Sequence, residues 1–426
     1  MASKKILCPY CFEEFQNTEA LYQCESDEME VRDGEKQYRC QRISTTEYDS
    51  YWKGENLQMR YIWPQKSGLF SRLKGPSLDL RRCPQCNYPS RRFVCPHCHN
   101  WLPTEMIENG AEIISVIGSP SSGKTNYIVA LINRLRKYGC KLDLTVSPTQ
   151  TYRDGHKNES TQNIYKRLNS ELFEDGTVLN KTAVSSIDIP WIFHLEQQHT
   201  KKDIYLVFYD TAGEKFNENL RNNVRYLKES SGVIVVLDVL SVRSVKKILQ
   251  KRGFDAFAGK PAAPFQDIQD ALANFEGDML TKKPFAFVFS KFDAIIDNAE
   301  YLDFNADEFM NGDKKLNSEF IKTGVVDMDK INSISEVIEA ALGDSWDEAD
   351  FCHFTRKWTS RKNAQLPAGK QDPNDPENNY KYFGVSALGG MPNEMDQLES
   401  VEPYRVMDPL VWILHKLGKF DIPVKK

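Results

Sequence analysis

The sequence predicts an α/β domain, built on a mostly parallel sheet with one antiparallel edge strand and helices on both faces, behind a small cysteine-rich region held by metal. Three observations carry this. The stretch "EIISVIGSPSSGKTNYIVALINRLRKYG" (residues 112–139) reads as strand, glycine-rich turn and helix in succession. Further short apolar runs alternate with helical patterns down the rest of the chain. Eight of the 10 cysteines fall before residue 100, six of them as C-P-x-C pairs.

The elements follow in order. Residues 1–102 lack long periodic segments and change character midway, from acidic stretches such as "ESDEMEVRDGE" to a basic half containing Lys53, Arg60, Lys66, Arg72, Lys74, Arg81, Arg82, Arg91 and Arg92. From residue 110 to 426 the α/β domain is expected. After the first strand, Ile128, Leu131, Ile132 and Leu135 recur at helical spacing and Gly139 stops the helix. The runs "SSIDIPWIFHL", "DIYLVFYD", "GVIVVLDV", "PFAFVFS" and "KYFGVS" read as strands, the first two as an antiparallel pair at one edge. Helices are expected in "ENLRNNVRYLKESS", "VRSVKKILQKRG" and "DPLVWILHKLG", the last with Pro409 in its first turn and Gly418 as its cap. Residues 294–380 read as a long polar insertion whose "GKQDPNDPENN" segment is loop.

Composition narrows the class. The chain has 426 residues, 40% hydrophobic and 27% charged, with a formal net charge of −5. Those values fit an ordinary globular protein of two or three domains and give no reason to expect nucleic-acid binding by the whole chain. A mean hydropathy of −0.54 suggests solvated insertions around a modest core. No apolar run reaches the length of a membrane span, and no export signal is apparent. Cysteines at metal spacing without such a signal point to a reducing cytoplasm.

"GSPSSGKT" (residues 118–125) matches G-x-x-x-x-G-K-[ST] between a strand and a helix, the context that makes a phosphate cradle. Backbone N–H groups of Ser119, Ser121, Ser122 and the helix start would face anionic oxygens, and Gly118 and Gly123 would let the chain approach them. Lys124 would neutralise β and γ oxygens, and Thr125 would hold Mg²⁺. "LVFYDTAGE" ends a strand in D-x-x-G, so Asp210 would reach the Mg²⁺ and the Gly213 N–H the γ-phosphate. "FVFSKFD" ends another in S-K-x-D. Asp293 could accept two protons from guanine, a pair that adenine lacks, and an unmet buried carboxylate would penalise adenine. Lys291 would lie along the purine face. In "GVSALGG", Ser386 and Ala387 would close the base pocket. The four elements in this order indicate a site for GTP or GDP, and Asp293 argues against an ATPase on the same cradle.

With these four motifs the chain resembles the Ras-like, translation-factor-related P-loop GTPases over about residues 112–418. It departs from them in having Ser290 where Asn or Thr is usual, and in its long insertion. It is more similar still to bacterial Double-GTPase-type proteins with an N-terminal double zinc ribbon, on "CPYCFEEF", "LYQC", "CPHCHNWLP", the cradle and "RVMDPLVWIL". That resemblance implies a place in bacterial conflict or defence systems. It also implies a switch threonine before the strand that precedes "DTAG". Thr182 has that position; Thr177 is the next candidate, and Thr145, Thr149 and Thr151 are further ones. Glu214 stands where Ras-like proteins carry the water-orienting glutamine. It can accept from water but not donate an amide N–H, which implies slow intrinsic hydrolysis quickened by a partner, whether an effector or a second GTPase. Negligible turnover, with nucleotide as a structural ligand, is the alternative.

"CPQCNYPSRRFVCPHC" is C-x₂-C-x₈-C-x₂-C, so Cys83, Cys86, Cys95 and Cys98 read as one closed Zn²⁺ site. Cys8 and Cys11 would then complete a second with Cys24 and Cys40, though crossed pairing between the two sets also satisfies the spacing. Four thiolates leave no open position, so both zincs are expected to be structural. His97 and His99 read as surface residues, and Cys140 and Cys352 as isolated thiols. The basic stretch 53–92, with Tyr51, Trp52, Tyr61 and Trp63 interleaved, could meet nucleic acid. A solvated surface or a protein-docking face is the favoured reading.

Overall fold

A computed structural model describes residues 4–32, 34–40, 61–64, 81–110, 112–118, 122–149, 160–179, 190–208, 227–252, 283–310, 318, 320–359, 379–393 and 395–425. Its N-terminal part is built of short strands: β1 (Lys5–Leu7), β2 (Glu14–Gln16), β3 (Leu21–Gln23), β4 (Met29–Arg32), β5 (Glu35–Tyr38), β6 (Ile62–Pro64), β7 (Arg81–Arg82), β8 (Pro89–Ser90), β9 (Arg92–Val94) and β10 (Trp101–Leu102). Four of these form a sheet in the order β10-β9-β3-β6, and β1/β2, β4/β5 and β7/β8 are hairpins. The helix α1 (Thr104–Asn109) leads out of this region. Its Met106 and Ile107 are fully buried in a cluster that continues to Ile113 and Tyr205 of the large sheet.

The rest of the chain centres on a seven-stranded sheet: β11 (Ile113–Gly118), β12 (Leu144–Pro148), β13 (Trp191–Gln197), β14 (Lys202–Phe208), β15 (Gly232–Asp238), β16 (Phe285–Ser290) and β17 (Tyr380–Gly384), in the order β12-β13-β14-β11-β15-β16-β17. β14, β11, β15, β16 and β17 are parallel, and β13 is antiparallel to both its neighbours. The sheet is therefore mostly parallel with one reversed strand, as expected, but that strand is second from the edge. The strand outside it, β12, was not anticipated. Its burial alternates and it carries Thr145, Ser147 and Pro148, a composition suited to an edge.

The central strands are continuous apolar runs because both faces are covered. Ile114, Val116, Leu206, Ile234, Val236 and Val288 face one side, where α2 (Lys124–Tyr138), α3 (Thr161–Phe173) and the last helix pack. Tyr205, Val207, Val233, Val235, Phe287 and Tyr382 face the other, with α4 (Arg243–Lys251).

Residues 294–380 are not only polar loop. They include α5 (Met328–Ala340), which packs against β17, and α6 (Ala349–Thr359). Phe304, Phe309, Ile338, Trp346 and Phe351 from this stretch are buried in the main core. Its loop "GKQDPNDPENN" falls outside the described residues except Asn379. The final helix α7 (Asp408–Leu417) has Pro409 in its first turn and Gly418 in the left-handed conformation as its cap. No helix among the described residues is long and apolar enough to cross a membrane.

Candidate functional site: a phosphate cradle and two cysteine tetrads

Three strands of the sheet end side by side, and the sequence motifs sit at those ends. β11 ends at Gly118, and after residues 119–121, which lie outside the described residues, the chain turns through Gly123 into α2. Gly123 caps the helix with φ 72°, where a side chain would be strained. A Cβ on Gly118 would stand 2.8 Å from both Ser122 Oγ and Val236 O, so the turn closes only over glycine. Lys124 is buried at the first helical position, and Thr125 follows it half-buried. Ser122 Oγ is buried with no hydrogen-bond partner among the described residues. A buried polar atom beside the open N-terminus of a 15-residue helix is in keeping with an anionic ligand there.

β15 and β16 are in register from Val233 and Phe285 to Asp238 and Ser290, so Ser290 ends its strand beside Asp238. The Ser290 hydroxyl donates to the Ser122 carbonyl at 2.6 Å and lies 3.0 Å from that of Leu237. One short side chain thus ties β16 to the glycine turn and to β15. Lys291 adopts φ 58°, and its Cε approaches to 3.9 Å of where a Cβ of Gly123 would be. Its Nζ is 2.6 Å from Asp238 Oδ2.

Asp293 begins a short helical turn and is 9% exposed. Burial pushes its carboxyl above the ordinary value, and a hydrogen bond with the Ser386 side chain pulls it partly back. Ser386 and Ala387 are buried after β17; the Ser386 hydroxyl accepts from Gly389 N at 2.7 Å, and its backbone pairs with Tyr404. The Phe292 N–H donates to Val385 O at 3.1 Å, which docks "SKFD" against "SAL".

The structure thus brings Gly118, Ser122, Gly123, Lys124, Thr125, Ser290, Lys291, Asp293, Ser386 and Ala387 to one end of the sheet. Ser119, Ser121, Thr182, Asp210, Gly213 and Glu214 lie outside the described residues, as does Thr151. The other threonines are engaged elsewhere. Thr149 is buried and donates to Ile192 O, Thr145 accepts from Gln198 on the edge strand, and Thr177 is bridged to Gln397. Two residues that sequence reasoning passed over belong to this end. Asp238 is one; its signal was its place as the last residue of an apolar strand. Asn126 is the other: its amide exchanges two hydrogen bonds with the backbone of Leu179, at 3.2 and 3.3 Å.

Sequence relationships bear on this geometry. A profile of the Double-GTPase 2 family matches residues 112–346, more than half of the chain. The chain belongs to the Double-GTPase 2 family. The matched span runs from the strand before the cradle to Trp346 and so contains the cradle and "SKFD". Membership in the Double-GTPase 2 family supports a GTP-binding protein. No curated protein matches. Among solved structures, the Saccharomyces cerevisiae Ski7 GTPase-like domain bound to GDP and inorganic phosphate is 14% identical with a TM-score of 0.32, over 73% of this chain and 51% of that one. The same domain bound to GTP gives 12%, 0.32, 75% and 54%. Sup35 complexed with GMPPNP gives 10%, 0.22, 68% and 41%. The Double-GTPase 2 chain spans about half the length of the Ski7 chains it matches.

The eight N-terminal cysteines form two tetrads, Cys8/Cys11/Cys95/Cys98 and Cys24/Cys40/Cys83/Cys86, with all sulfurs of a tetrad within 4.8 Å of one another. Cys8–Cys98 and Cys11–Cys95 sulfurs are 3.7 and 3.8 Å apart; Cys24–Cys86 and Cys40–Cys83 are both 3.4 Å apart. Thiolates about 2.3 Å from a central zinc in a tetrahedron stand about 3.8 Å apart, so the tetrads fit Zn²⁺. Three turns share one backbone form: Phe12, Asn87 and His99, each just after the second cysteine of a pair, have φ near 60°. Backbone N–H groups of Tyr10, Ser26 and His97, and the Asn100 side-chain amide, point at sulfurs.

The crossed pairing therefore replaces the sequential one, and the reason is strand direction. β9 runs antiparallel to β3, with Leu21 opposite Val94 and Gln23 opposite Arg92. Cys24 follows β3 and leaves the ladder at its Arg92 end, where Glu25 N donates to Ser90 Oγ just beyond the Cys83/Cys86 turn; Cys95 follows β9 and leaves at the opposite end, away from that turn and with Cys8 and Cys11. His97 is exposed against Phe15, outside the tetrads. Cys140 is exposed; Cys352 is buried, which pushes its thiol up to about 12. Of the basic aromatic stretch, Trp63 is buried and stacked on Tyr22, so it is not a platform for a base. Tyr51 and Trp52 lie outside the described residues.

Proposed function

We propose that this chain is a guanine-nucleotide switch that binds GTP with Mg²⁺, hydrolyses it slowly, and docks a protein partner through its zinc-stapled ribbons. The observation that carries the reading is the Ser290 hydroxyl bond to the cradle carbonyl of Ser122. It joins a phosphate-binding turn and a carboxylate-bearing turn into one unit, as a nucleotide spanning both would require. Ser290, standing where Asn or Thr is usual, makes this tie with its hydroxyl.

In this reading the loop N–H groups and Lys124 hold the phosphates, while Thr125 and Asp210 hold Mg²⁺, which spreads charge on the β and γ oxygens. Gly213 meets the γ-phosphate, Asp293 accepts from the guanine edge, and Ser386 and Ala387 close the pocket. Thr182 is the switch threonine. Leu179, three residues before Thr182, is held by the amide of Asn126, the neighbour of Thr125. Glu214 accepts a proton from water that attacks the γ-phosphorus, and its charge beside the phosphate keeps the step slow. The partner is an effector or a second GTPase, in a reducing cytoplasm and a bacterial conflict or defence setting. Glu214 also favours a second reading, a nucleotide-dependent scaffold with negligible turnover.

Single-turnover hydrolysis with GTP and ATP side by side tests both. GTP bound and cleaved slowly, with ATP ignored, supports the switch. GTP bound but intact supports the scaffold. Equal affinity for ATP removes the guanine assignment.

A further inference from the structure

We infer that Asp238 is a positioning residue for nucleotide binding: it clamps Lys291 so that the lysine stem crosses the cradle glycine and its ammonium is held at the base side. This rests on the nucleotide-site reading above.

The geometry is specific. Asp238 ends β15 in register with Ser290, one residue before Lys291. Its Oδ2 takes the Lys291 ammonium at 2.6 Å, while its Oδ1 accepts from Leu240 N at 3.0 Å. The Ser241 hydroxyl donates to the Asp238 carbonyl. The carboxylate is thus fixed on two sides and only 15% exposed. Lys291 has a left-handed backbone, an uncommon state for a side-chain-bearing residue, which sends its stem toward Gly123.

Lysine has a long, rotamer-rich stem, and fixing it costs entropy. Beside an anionic phosphate site, an unclamped ammonium would be drawn toward the phosphates and off the purine. Asp238 opposes that pull and pre-sets the platform, so its effect is on affinity for any purine nucleotide and not on the choice of base. The choice belongs to Asp293.

The test uses the full chain with zinc bound, and the Asp238→Asn variant. Asparagine keeps the acceptor for Leu240 N and loses the charge. Release of fluorescent GDP and IDP is timed in Mg²⁺. Inosine lacks the C2 amino group, so the GDP/IDP ratio reports on Asp293. Release of both is expected to quicken by the same factor, on the order of tenfold, the worth of a cation over an aromatic face. Lys291→Met should quicken release similarly, and adding Asp238→Asn to it should change nothing more. Unchanged release in Asp238→Asn overturns the inference, as does an equal effect of the substitution with Lys291 present or absent, or a collapse of the GDP/IDP ratio. Failure of the unaltered chain to bind any guanine nucleotide would instead overturn the nucleotide-site reading, and the inference with it.

Discussion

The Ser290 hydroxyl sits 2.6 Å from the Ser122 carbonyl and 3.0 Å from the Leu237 carbonyl, so a single buried group bridges the cradle, β15 and β16. Ser290→Ala would take the donor from the buried Ser122 carbonyl at a cost of about 1–3 kcal/mol. GDP affinity measured by calorimetry should fall, and Ser290→Thr, which retains the hydroxyl, should restore most of it.

Asp293 carries a pH dependence whose sign can be worked out. Its folded pKa is raised, chiefly by burial. In the nucleotide-free protein its contribution to stability is therefore fully present below the unfolded value of about 4, and is lost as pH rises through the folded value. Binding guanine needs the charged form. GDP affinity should thus drop as pH falls through a point above the usual carboxylate value. Asp293→Asn should abolish that dependence, weaken GDP binding and admit xanthine nucleotide, all readable by titration at several pH values.

Zinc content separates the two pairings of the cysteines. Replacing Cys11 and Cys95 by serine removes two ligands from one tetrad and should leave one zinc per chain by elemental analysis. Replacing Cys83 and Cys95 strikes both tetrads and should remove both zincs. Sequential pairing would give the opposite outcome in each case.

Phe292 lies between the proposed base-binding residues Lys291 and Asp293, and it is packed by the inserted segment. Its ring centroid is 4.8 Å from that of Phe309 and 5.4 Å from Phe304, and Arg405 Nη2 donates to Phe309 O at 3.1 Å. Phe309→Ala should cost about 3–5 kcal/mol in denaturant unfolding. It should also quicken GDP release, since the loop bearing Asp293 loses its backing.

In the proposed site, Glu214→Gln would supply an amide N–H and remove a negative charge from beside the γ-phosphate. Single-turnover GTP hydrolysis should accelerate, by about tenfold or more if water orientation limits the rate.

What could be read from the sequence divides along physical lines. That Ser290, Lys291, Asp293, Ser386 and Ala387 lie at one end of the sheet was legible because each ends or follows a buried strand, and parallel strands deliver their ends to one edge. Asp238 was not, because an acid ending a strand has no distinctive spacing until its neighbour is known. β12 was missed because an edge strand has no apolar run. The inserted segment was read as polar because Phe304, Phe309 and Trp346 are scattered among charged residues; its contribution to the core comes from where α5 and α6 place them. The cysteine pairing was underdetermined because spacing fixes each turn, while an antiparallel ladder decides which turns meet.

The nested order of the two tetrads has a consequence for biosynthesis. The inner site, from Cys24 to Cys86, can close while the chain is still emerging, and the outer one only when Cys98 has cleared the ribosome. Since the loop held by the outer site encloses the inner one, closing the first shortens the search for the second. Metal loading can thereby run from the inner site to the outer one, and the N-terminal unit can close before the later strands of the large sheet have been translated.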